Sequence, residues 1–152
     1  MRVLDWLSQS GVDFTVKPHE EHFTAQEEAG AGHIPGDRFA KTVVVKVGEE
    51  YLLLALPASR RVDLARVAEL VGAEPALATE MEMAALFPDC EVGAEPPFGS
   101  QYGLRTLADE SLAQQTQIAC RTGNHHEVLV LAWADFARLE KPRLAAFAQA
   151  KH

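Results

Sequence analysis

Apolar residues along the chain fall into two kinds of short run, some spaced three and four apart and others continuous. Val3, Leu4, Trp6 and Leu7 fit the apolar stripe of a short helix, which Gly11 ends. Residues 14–17 (FTVK) then read as an extended segment halted by Pro18. Thr24 followed three residues later by Glu27 is a capping-box pattern, so a helix is expected to run from there through Ala29, until Gly30 and Gly32 loosen it. After a loop with Pro35-Gly36 come 40–47 (AKTVVVKV) and 51–56 (YLLLAL), β-branched or apolar runs separated by Gly48-Glu49-Glu50, the pattern of a hairpin.

Leu64, Val67, Ala68 and Val71 recur at helical spacing behind Asp63, a plausible N-cap, and Gly72 supplies the stop. Thr79 and Glu82 repeat the capping box before MEMAALF, which Pro88 closes. The stretch 92–103 (VGAEPPFGSQYG) holds three glycines and two prolines and favours a shaped loop over either regular element. Strands are expected near 104–107, 116–120 and 128–131, and residues 134–139 begin a C-terminal helical region interrupted at Pro142. Helices and strands mix without clean alternation, so the pattern predicts an α+β fold with a mixed, curved sheet.

A chain of 152 residues fits one domain, 1–152, and should bury roughly 68–70% of the surface its unfolded state exposes. Hydrophobic residues at 47% and charged residues at 24% are ordinary for a globular protein. No apolar run reaches membrane-spanning length, and Asp5 interrupts the N-terminal stretch, so a cytoplasmic protein with no membrane association is expected. Cys90 and Cys120 form no metal-ligand or CxxC spacing and read as reduced packing residues. The net charge of −8 argues against broad adhesion to nucleic acid, DNA included, because such binding rests on phosphate neutralisation by a basic surface. RNA contact would have to be local, with Arg60, Arg61 and Arg66 as its candidate cations, although three arginines opening a helix also describe a solvated face.

Two places could carry chemistry. Lys41 begins an otherwise apolar strand beside Thr42, where a cation can meet a phosphate or a developing oxyanion; the same placement suits an edge lysine that blocks strand aggregation. In the loop Gly93-Ala94-Glu95-Pro96-Pro97-Phe98-Gly99, glycine lets backbone N–H groups approach a ligand and proline stiffens them, or the loop is simply a surface connection. His125 and His126 lack a third ligand at recognisable spacing, so no metal is expected, and His22 and His33 stand alone. The GAG at 30–32 falls short of a dinucleotide fingerprint, no GxSxG elbow is present, and no cofactor is expected.

These pieces, in this order, resemble the YbaK/prolyl-tRNA synthetase-associated family of aminoacyl-tRNA deacylases. The likeness runs through His22-Phe23-Thr24-Ala25, Pro35-Gly36 leading into Ala40-Lys41-Thr42-Val43-Val44, Arg61-Val62-Asp63-Leu64, Gly93-x-x-x-Pro97-Phe98-Gly99, and Thr122-Gly123-Asn124-His125-His126-Glu127-Val128 followed by Ala134-Asp135-Phe136. The resemblance implies a barrel-like curved sheet flanked by helices, and hydrolysis in trans of the ester on a mischarged tRNA. It places Lys41 and Gly93 in the catalytic role and Thr42, Pro97, Phe98, Gly99, Thr122, Gly123, Asn124 and His125 around the substrate. The implied partners are the aminoacyl-tRNA acceptor end and a synthetase that delivers it. A non-catalytic aminoacyl- or nucleotide-binding module, or a synthetase-docking module, is the alternative for the same fold.

Overall fold

A computed structural model describes residues 3–18 and 34–150. The helix expected from Thr24, together with His22, His33 and the GAG at 30–32, lies outside the described residues. Helix α1 (Val3–Gln9) leads into strand β1 (Phe14–Pro18). The expected hairpin is present as β2 (Ala40–Val47) and β3 (Glu50–Pro57), antiparallel with Lys41 opposite Leu56 and Thr42 opposite Ala55. Helix α2 (Leu64–Val71) is capped by the Asp63 carboxylate, which accepts from the N–H groups of Ala65 and Arg66, and Gly72 ends it in the left-handed region. Helix α3 (Glu80–Leu86) carries the full Thr79–Glu82 capping box.

Three further strands follow the expected pattern within a residue or two of each edge: β6 (Arg105–Asp109), β7 (Gln117–Arg121) and β8 (Glu127–Ala132). Short strands that the pattern did not reveal are β4 (Arg60–Val62) and β5 (Ala76–Leu77). Arg60 and Arg61 therefore lie on a strand, and Arg66 alone is helical. Helix α4 (Trp133–Glu140) stops at Lys141, whose φ of 50° is left-handed. Beyond Pro142 the chain is not helical as expected but forms β9 (Arg143–Ala145) and β10 (Ala148–Ala150). Proline cannot extend the helix, and pairing with β6 and β4 gives these residues the backbone partners a helix would have supplied.

The main sheet has the order β5-β2-β3-β6-β9, antiparallel around β2 and parallel from β3 through β9. Its central strand β3 is a continuous apolar run because both faces are covered: Leu53 and Ala55 enter one core, Leu52, Leu54 and Leu56 the other. A second, antiparallel sheet of order β1-β8-β7 packs into the first core with α1, Phe87, Phe98 and Phe136. Among the described residues the two sheets meet at one backbone bridge, Phe39 to Ala119, within a cluster of Phe39, Ala58, Ala119 and Val128. This is the expected α+β architecture with a mixed, bent sheet. Among the described residues the ladders do not close into a barrel.

Candidate active site

At the mouth of β2, near the seam between the sheets, Lys41, Thr42, Gly93, Glu95 and Arg121 line one hollow of about 150 Å³. Lys41 and Thr42 come from the first residues of β2 and Arg121 from the last of β7, so the hollow draws on both sheets. Arg121 is 3% exposed, with its guanidinium 6.0 Å from the centre of the Phe39 ring. The Thr42 hydroxyl is buried and has no hydrogen-bond partner among the described residues. A buried hydroxyl in that condition costs about 1–3 kcal/mol, a cost that a polar ligand atom removes.

Gly93 takes a φ of 84°, a left-handed turn in which a side chain would be strained. That turn brings the Gly93 N–H to the Glu95 carboxylate, 3.1 Å from Oε2. The Val92 carbonyl, on the opposite side of the same peptide plane, accepts from His125 Nε2 at 2.7 Å. His125 is buried, and since a carbonyl only accepts, Nε2 carries a proton and donates it to this bond. A second tie runs from the Glu91 N–H to the Gly123 carbonyl, 2.7 Å. Residues 123–125 thus act as a strap that fixes the glycine turn.

Glu95 is 8% exposed, and burial raises its carboxyl above the ordinary value. The N–H groups of Glu95 and Gly93 and the charge of His125 pull the other way without cancelling that effect.

The remaining expected residues have other places. Phe98 is fully buried, its ring 5.6 Å from Trp6 and 5.2 Å from Phe136, so its side chain anchors the loop in the core and does not face the hollow. Burial of such a ring is worth about 1.5–3 kcal/mol. Pro97 is buried beside it. Gly99 gives its N–H to Thr106 Oγ1 at 3.2 Å, and a Cβ there would meet that hydroxyl and the Leu104 carbonyl oxygen, the latter at 2.9 Å. Thr106 in turn donates to Glu140 Oε2 at 2.6 Å, and Glu140 also accepts from the Ser100 N–H and hydroxyl. Thr122 donates to Glu127, and the Asn124 side chain accepts from the His126 N–H, so both serve their own turn.

Arg66 is paired with Glu69 at 2.7 Å, and Arg60 lines a separate hollow of about 340 Å³ that includes Asp37 and Asp109. Asp109 is itself committed, accepting from Ser111 and from the N–H groups of Phe147 and Ala148. Glu95 and Arg121 are the lining residues that sequence reasoning passed over as site groups. The available signals were an acid set between a glycine and two prolines, and a cation one residue beyond the expected end of an apolar strand.

A model of the aminoacyl-tRNA editing domain matches residues 19–139. The chain belongs to that family. Solved structures agree on the fold of this editing domain. A hypothetical protein aligns with a TM-score of 0.89 at 18% identity, over 98% of this chain and 100% of its own. A protein proposed to be a trans-editing enzyme for prolyl-tRNA synthetase aligns at 0.86 and 22%, over 98% and 96%. A scaffold from computational epitope grafting gives 0.86 and 22%, over 99% and 96%. Among curated proteins the sequence has no match. Among the described residues no helix is long and apolar enough to cross a membrane, and no group of three or more His, Cys, Asp and Glu side chains is placed to hold a metal ion.

Proposed function

We propose that this editing domain, working as one cytoplasmic domain, hydrolyses the ester of a mischarged aminoacyl-tRNA in trans. The observation that carries the reading is the convergence of Lys41 and Gly93, distant in sequence, on one hollow with a second cation, Arg121. About 150 Å³ accommodates a guest the size of benzene, so the hollow has room for a small aminoacyl group while the terminal nucleoside stays at its mouth. Lys41 meets the ribose or phosphate of that nucleoside, Thr42 offers its unpartnered hydroxyl, and the Gly93 amide faces the ester carbonyl. Water attacks the carbonyl carbon, the bond to the ribose oxygen breaks, and that oxygen leaves with a proton the water gives up, releasing the free amino acid.

An ester needs little covalent help, so positioning and charge stabilisation account for the rate. The net charge of −8 limits tRNA contact to the acceptor end and favours delivery by a synthetase. Purified protein incubated with alanyl-, cysteinyl-, seryl- and threonyl-tRNA is expected to release at least one amino acid. Lys41→Ala is expected to abolish release with an unchanged circular dichroism spectrum. No ester loss across the panel overturns the reading.

A further inference from the structure

Among the described residues lining the hollow, Glu95 is the single acid, set with Lys41 and Arg121. A phosphate or an oxyanion would be repelled by it, so the nucleotide and the reacting carbonyl do not account for its presence. Its carboxylate moreover sits on the Gly93 N–H, the donor that a developing oxyanion needs. His125 grips the other side of that peptide, and because the N–H and C=O of a trans peptide point in opposite directions, the N–H stays aimed at Glu95.

An entering ester must therefore displace a buried carboxylate from its hydrogen bond, which is unfavourable unless the carboxylate gains another donor. An aminoacyl ester brings one on the carbon next to its carbonyl: the α-ammonium group. We propose that Glu95 reads this free α-ammonium and, in taking it, yields the Gly93 N–H to the ester carbonyl. The inference rests on the deacylase reading and deepens it by naming the substrate class, tRNA esters with an unblocked amine. N-acylated esters, which include peptidyl-tRNA, are refused: their nitrogen is uncharged, so the carboxylate remains on the oxyanion donor.

The test compares whichever panel ester the wild type hydrolyses with its N-acetylated form. Leaving a buried polar group without its partner penalises the wrong ligand heavily, so kcat/KM should fall by about 10²-fold or more on acetylation. Glu95→Gln should shrink that ratio to under about tenfold, chiefly by raising KM for the free amine, with wild-type circular dichroism. Equal turnover of free and acetylated esters by the wild type overturns the inference, as does an unchanged ratio in a folded Glu95→Gln protein. The wild-type comparison stands even if that variant does not fold.

A binding measurement separates this inference from the deacylase reading. Calorimetry with 3′-alanylamido-3′-deoxyadenosine and its N-acetyl counterpart needs no hydrolysis. Preference for the free amine without any ester turnover sinks the enzyme reading and keeps the Glu95 assignment, whereas equal or absent binding of the two sinks the assignment.

Discussion

Glu95 holds its charge below the surface, and the thermodynamic consequence can be measured apart from catalysis. Burial places its folded pKa above the ordinary carboxylate value of 4.5. Between those two values the folded form binds more protons than the unfolded form, so this group makes stability fall as pH rises through the interval. Glu95→Gln removes that loss. Its thermal midpoint should match wild type near about pH 4 and equal or exceed it near about pH 7, while activity drops. A Gln variant that is less stable at neutral pH would show that Gly93 needs the charge and not merely an acceptor.

Cys90 provides a contrast. Burial is the main effect pushing its thiol up to about 12, and it lies 3.3 Å from the Tyr102 hydroxyl, so at neutral pH it is protonated and no nucleophile. Cys90→Ala should keep deacylation within about twofold, and iodoacetamide should leave Cys90 unlabelled in the native protein, as mass spectrometry would show.

The loop from Val92 to Tyr102 works as an element held at both ends. The strap of 123–125 holds its start, and Phe98, Thr106 and Glu140 hold its finish. Gly99→Ala forces a methyl against the Leu104 carbonyl and the Thr106 hydroxyl, which should cost about 1–3 kcal/mol and lower the thermal midpoint by several degrees. Phe98→Ala should cost about 3–5 kcal/mol, visible in urea denaturation as a shifted midpoint.

The caps of α2 and α3, the β2–β3 hairpin and the glycine-proline loop were legible in the sequence because each depends on residues a few positions apart. Strands β4, β5, β9 and β10 were not, since two or three residues carry no period and owe their conformation to partners far along the chain. The site divides the same way. Lys41 and Gly93 stood out by local context, whereas the place of Glu95 depends on its burial against the Gly93 N–H, which local pattern does not encode. The packing of the Phe98 ring against Trp6 and Phe136 is not announced by its loop motif, since those partners lie far along the chain.

For the molecule as a whole, the acidic balance sets how tRNA binding responds to salt. Each phosphate contact to a single strand contributes about −0.7 to the slope of log affinity against log salt, so an acceptor end held by two or three cations should give a slope no steeper than about −2. Filter binding of uncharged tRNA across a salt series checks this. A slope of about −6 would mean contact with many more phosphates and overturn this expectation.

The seam at Phe39 and Ala119 has a consequence for the choice of amino acid. Lys41 and Arg121 belong to different sheets that, among the described residues, share a single backbone bridge, so the gap between them depends on how closely the sheets lean together. Ala119 is 2% exposed, small and outside the lining of the hollow, so Ala119→Val is expected to shift the sheets while leaving the lining side chains unchanged. Tolerance for bulkier amino acids is then expected to change with a methyl or two at position 119, as the deacylation panel run on Ala119→Val would show.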